Sequence, residues 1–187
     1  TLEDALEMER VAEHTGRLLV AGHVVRFWPE YAEARRLMQS GALGPVQSYS
    51  ARRLVPLLRA VTGAEGWRHS AERSGGAVID LQIHDVDFVL WTFGRPAAVT
   101  SRGVRSHTGA FDHVFTLLEY EDGPVVELEA SFMLQGNPVT MDFRALGPEG
   151  SVEFAFVESD FAMHDIHTDG GGEAREAPAS LVLYRWG

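Results

Sequence analysis

Gly75-Gly76-Ala77-Val78-Ile79-Asp80-Leu81-Gln82-Ile83-His84-Asp85-Val86-Asp87 is the stretch on which the reading of this chain turns. Asp80, His84 and Asp87 stand at i, i+4 and i+7, so on a helix they form one polar stripe. Val78, Ile79, Leu81, Ile83, Val86, Phe88, Val89 and Leu90 surround that stripe. The helix, which runs to about Phe93 before Gly94 and Pro96, is thus apolar nearly all round and expected to be buried. Two carboxylates and an imidazole in a buried stripe are costly unless they are paired or serve a site. An imidazole beside a carboxylate is the usual way to tune a general base near neutral pH. The paired glycines permit close backbone approach at the helix start, where the dipole favours an anion. Two other readings fit the same residues. His84 can be a core histidine satisfied by Asp80 or Asp87. Alternatively, His84-Asp85 can belong to a metal-dependent hydrolase. Adjacent helical residues point about 100° apart, however, and remaining candidate ligands such as His107, His113, His164 and His167 fall in strand or loop segments.

Upstream, Thr1 is placed to cap a helix with Asp4 completing a capping box, and Gly16 to end it. Leu2, Ala5, Leu6, Met8, Val11 and Ala12 give that helix an apolar face. Residues 18–25, a continuous apolar run, read as a buried strand of a doubly wound parallel sheet. Pro29 opens a further helix to about Ser40, with Ala32, Leu37 and Met38 inward and Gly41 as terminator. Residues 45–54 read as a strand and residues 55–74 as irregular. Downstream, residues 97–106, 112–120, 124–134, 139–146, 151–157 and 181–184 are strand-like, with turns at 121–124 and 147–150. Consecutive strands after a helical half predict an α+β fold, with an open, mostly antiparallel sheet and helices on one face.

Composition narrows the chemistry. The 187 residues contain no cysteine, and all 16 basic residues are arginine. This excludes disulfides, thiolate metal sites, a cysteine nucleophile, a Schiff base and a lysine acid or base. A formal charge of −11 speaks against nucleic acid and against an anionic membrane surface. No apolar run approaches the ~20 residues of a membrane span, and the acidic start lacks a signal peptide's pattern, so a cytoplasmic location is expected. Met163-His164-Asp165-Ile166-His167 lacks a third metal ligand at a clear spacing, and Gly170-Gly171-Gly172 lacks the strand-before, helix-after context of a phosphate loop. Phe111, Phe115, Leu117, Phe132, Phe143, Phe154 and Phe156 are read as sheet core or subunit contact. An apolar sheet face needs cover, which predicts a homo-oligomer through that face.

An ordered series of motifs runs through the chain: Arg26-Phe27-Trp28-Pro29, Gly41-Ala42-Leu43-Gly44-Pro45-Val46, Trp67-Arg68, Gly75-Gly76, then Asp80, His84 and Asp87, then Trp91 and Gly94-Arg95-Pro96. Together they resemble the Gfo/Idh/MocA oxidoreductases, the glucose–fructose oxidoreductase and inositol dehydrogenase-like enzymes. The resemblance implies an N-terminal Rossmann domain that binds NAD or NADP and a C-terminal α+β domain that carries the substrate site. Residues 1–27 would be the end of the Rossmann domain, and residues 28–187 the substrate-binding and oligomerisation domain, as a dimer or tetramer. It further implies that His84 is the general acid/base on a sugar, polyol or similar hydroxyl substrate, and that Asp80 orients the site or binds a substrate hydroxyl. Arg68 would contact substrate, and Trp67, Arg68 and Arg26 the cofactor. No metal is implied. Gln82 stands where the family often has a small residue. The family's catalytic lysine and its G-x-G-x-x-G turn are absent from these 187 residues. The cofactor would therefore be bound mainly by an upstream portion, and the chain alone is expected to be inactive. The rival class is a redox-inactive module that binds a ligand or oligomerises.

Overall fold

The computed structural model describes residues 1–56, 66–106, 109–134, 139–158 and 180–185. The His164–His167 pair, Gly170–Gly172 and His107 lie outside the described residues. Helix α1 spans Leu2–Thr15. The Thr1 side chain accepts from the Asp4 backbone, the Asp4 side chain returns to the N-cap backbone, and Gly16 closes the helix at φ 64°. This is the expected capping box. The apolar face carries no buried residue: Leu2, Leu6, Met8 and Val11 are exposed.

Residues 18–25 are a correction. No strand forms there. Leu18, Leu19 and Val20 are exposed, and Val24–Phe27 make a 3-10 turn that buries Val25. A continuous apolar run becomes a parallel strand only between hydrogen-bonding neighbours, and none of the described strands adjoins it.

Helix α2 (Pro29–Gln39) begins with Pro29 in its first turn. It buries Tyr31, Ala34, Leu37 and Met38, while Ala32, expected inward, faces out. Strand β1 (Ser48–Pro56) follows. A 3-10 turn at Trp67–His69 leads into the short helix α3 (Ala71–Ser74). The segment quoted first above is not a uniform α-helix. Val78–Gln82 form a wide π turn, and α4 (Ile83–Phe93) continues from it. Strands β2 (Ala98–Arg105), β3 (Phe111–Glu119), β4 (Val125–Leu134), β5 (Val139–Gly147), β6 (Gly150–Glu158) and β7 (Ser180–Tyr184) complete the elements of the described residues.

All seven strands form one open sheet in the order β2-β3-β4-β1-β5-β6-β7. β1 runs parallel to β4, and every other pairing is antiparallel. The expected α+β architecture is the observed one. The period of two puts Tyr49, Ala51, Val126, Leu128, Phe143, Ala145, Val152 and Phe154 on one face. There they pack with Tyr31, Ala34, Phe88 and Val89 of α2 and α4. The Tyr31 ring meets Phe88, Phe143 and Phe154 edge-on at 4.9–5.4 Å, a favoured aromatic geometry. Phe143 and Phe154 are therefore core, Phe132 belongs to a second buried cluster, and Phe115 and Leu117 lie on the open face. Among the described residues no helix is long and apolar enough to cross a membrane.

Candidate functional site

The paired glycines pack against the protein's own chain. Gly75 ends α3 at φ 69°. Gly76, also at φ 69°, lies so close to the hairpin of β2 and β3 that an added Cβ would sit 2.7 Å from both the Ala110 Cβ and the Phe111 carbonyl oxygen. Its N–H donates to Ser74 Oγ at 3.0 Å. The close approach is to the protein's own backbone, and it anchors the π turn on the sheet edge. Gln82 ties the far end of that turn down. It donates to the Leu128 carbonyl at 3.2 Å and accepts from Thr116 Oγ1 at 2.9 Å. Gln82 is thus a bolt between helix and sheet.

Asp80 projects from the π turn. Arg68 Nε donates to its Oδ2 at 2.7 Å, and the Arg68 guanidinium lies 4.7 Å over the half-exposed Trp67 ring. Trp67, Arg68 and Asp80 are therefore brought together. Arg26 lies in a different group. It donates twice to Asp87, at 2.6 and 2.8 Å, and His23 Nε2 stands 3.7 Å from the same carboxylate. The Trp91 ring is flanked by two guanidiniums, Arg35 at 4.0 Å and Arg26 at 5.3 Å. The Asp87 carboxylate holds the guanidinium of Arg26 above its ordinary pKa.

His84 lies in the first turn of α4, between these two groups. It is half-buried, and its Nδ1 is buried with no hydrogen-bond partner among the described residues. It is therefore not a core histidine whose Nδ1 is satisfied by Asp80 or Asp87. Burial lowers the imidazole pKa below the ordinary 6.5. The charge of Arg53 adds to that effect, and Asp85 partly offsets it. At neutral pH the ring is uncharged and can take up a proton.

Asp85 faces the other way. Both its oxygens accept from Arg53 of β1, at 2.8 and 2.9 Å, in an ion pair of two buried side chains. A His84-Asp85 metal pair would have to break that bond, and among the described residues no three His, Asp or Glu side chains cluster to hold a metal. Sequence reading missed Arg53 and His23. The signal for Arg53 was present: it alternates with Tyr49 and Ala51, so its side chain must enter the core, and a charge there needs an acid.

The fit to a dinucleotide is partial. Arg26 and Arg68 each hold a carboxylate, and the sequence has no G-x-G-x-x-G to cradle a pyrophosphate. The exposed Trp67 ring remains. The residues suit a hydroxyl substrate at His84 and Asp80, and do not by themselves suit NAD or NADP.

Comparison with known proteins gives a consistent picture. The GFO/IDH/MocA C-terminal domain matches residues 31–153. The scyllo-inositol 2-dehydrogenase (NAD(+)) of Bacillus subtilis is 29% identical over 161 residues, covering 81% of this chain and 44% of that protein. The D-glucoside 3-dehydrogenase of Escherichia coli is 27% identical over 155 residues, covering 72% of this chain and 43% of that protein. Among solved structures, the WlbA dehydrogenase of Bordetella pertussis in complex with NADH and UDP-GlcNAcA superposes with a TM-score of 0.73 at 18% identity. The match covers 86% of this chain and 49% of that one. The chain thus spans less than half the length of each of these proteins.

Proposed function

This chain belongs to the GFO/IDH/MocA family, and from that premise we propose that it forms the substrate side of an oxidoreductase acting on a sugar, polyol or similar hydroxyl compound. The observation that carries this reading is His84, a half-buried, uncharged imidazole with an unpartnered Nδ1, beside an Asp80 that Arg68 holds in place. In this reading His84 takes the proton from the substrate hydroxyl as the carbinol carbon is oxidised. Loss of that proton avoids a cationic intermediate at carbon. Asp80 accepts a hydrogen bond from a neighbouring substrate hydroxyl and fixes its orientation. Arg68 sets the Asp80 carboxylate and lines the approach. A nicotinamide, NAD or NADP, would supply the hydride acceptor. It would be held mainly by a dinucleotide-binding portion against which residues 1–27 pack, while residues 28–187 form the substrate domain. The uncovered apolar side chains of α1 and of residues 18–20 support that division. On this account the 187 residues alone do not turn over.

The test is NAD(P)H formation from a panel of inositols and sugars by the protein carrying its dinucleotide-binding portion. His84→Ala with an unchanged circular dichroism spectrum is expected to lower kcat/KM by about two to four orders of magnitude. Undiminished turnover would remove His84 from the role.

We also propose a second copy of this chain as the partner of the open sheet face. That face carries Arg52–Asp142 and Arg144–Glu153 ion pairs among exposed Phe115, Leu117, Leu146 and Val182. Both signs of charge on one patch allow a two-fold contact to be self-complementary.

A further inference from the structure

The Arg53–Asp85 ion pair has no part in the chemistry proposed above, yet it is among the most deeply buried polar features of the fold. The two side chains are 5% and 2% exposed. Besides meeting both Asp85 oxygens, Arg53 Nη2 donates to the Tyr31 hydroxyl at 3.3 Å, and Nη1 lies against Met141 Sδ. One guanidinium therefore joins β1, β5, α2 and α4. Replacing a buried ion pair by apolar residues of similar volume is often neutral or stabilising, so stability alone is a weak reason for the pair. Its location suggests another. Asp85 directly follows His84 in the first turn of α4, at the junction where the π turn gives way to the ordinary helix.

We propose that Arg53 and Asp85 are positioning residues for His84: the pair clamps the first turn of α4 to the sheet and keeps a permanent cation near the imidazole, so that His84 stands ready to accept a proton. This rests on the proton-acceptor role of His84 proposed above. Four groups act on the imidazole from the elements around it. Arg53 of β1 and His23, ahead of the 3-10 turn, oppose its protonation. Asp85 of α4 and Asp80 of the π turn, the latter held by Arg68, favour it. The Arg53 guanidinium does not lose its charge at any accessible pH.

The test is an NMR titration of the histidine ring signals in the 187-residue chain, with His84 assigned by its loss in His84→Gln. Arg53→Met is expected to raise the His84 midpoint by about one pH unit, and Asp85→Asn to lower it. Arg53→Lys, which keeps the charge, leaves it near the starting value. A merely loosened fold would not move the midpoint in opposite directions from the two ends of one ion pair. If Arg53→Met does not fold, Asp85→Asn read against Arg53→Lys keeps the test: loss of the anion lowers the midpoint, whereas exchange of one cation for another does not. Unchanged midpoints in folded variants, or shifts of the same sign from both single variants, overturn the proposal. The titration needs no turnover. A flat midpoint therefore removes the positioning role alone, whereas undiminished activity in His84→Ala removes the proton-acceptor role alone.

Discussion

His84 couples the proposed chemistry to stability through one proton. Its folded-state pKa lies below the unfolded value, so between the two values the unfolded chain binds more protons. Stability from this group is fully present above about pH 6.5 and is lost as the pH falls towards the folded value. On acidification through this range the urea midpoint of the wild type should thus fall further than that of His84→Gln, which has no such group to protonate. Parallel curves would contradict a depressed imidazole. In turnover, the acid limb of kcat/KM should fall below pH 6.5 for the same reason. The polar stripe was legible in the sequence because three residues at helical spacing among apolar ones admit few explanations. The pairings were not, because Arg26 and Arg68, which hold Asp87 and Asp80, and Arg53, which holds Asp85, come from three other segments. Of these, only Arg53 advertises its direction, through its place in the alternation of β1.

At the scale of elements, β3, β4 and β5 could be read from sequence because each has one face in the core and one out, whereas β2 at the sheet edge has no buried residue. β3 alternates buried and exposed along nearly its whole length. Residues 18–25 misled because an unbroken apolar run carries no face, and only neighbours decide whether it is a strand. The π turn was illegible because no side-chain pattern announces one extra residue in a turn. It is specified by its two anchors, Gly76 against the β2–β3 hairpin and Gln82 against Leu128 and Thr116. Gly76→Ala combines a left-handed backbone with contacts of 2.7 Å to a carbonyl oxygen and a methyl group. It is expected to cost about 1–3 kcal/mol, read as a lower urea midpoint, and to shift the ring signals of His84. A variant as stable as the wild type would show that the hairpin gives way without cost.

For the whole molecule, the open face is the testable surface. Sedimentation at micromolar concentration should report a dimer or larger assembly, and Arg144→Glu should weaken it by placing like charges across Glu153. A wild-type chain that sediments as a monomer at every concentration overturns the second-copy proposal. The place of β1 has a different consequence. Strands β2-β3-β4 and β5-β6-β7 are two antiparallel meanders, and among the described strands β1 alone joins them, Tyr49 meeting Val126 on one side and Ala145 on the other. β1 is also the first of the seven to be synthesised. A chain leaving the ribosome must carry this strand, with both edges unpaired, until each meander has emerged, and such non-local closure is slow and exposes sticky edges. The strand that stitches the finished sheet together is therefore the one most in need of shelter while the protein is being made.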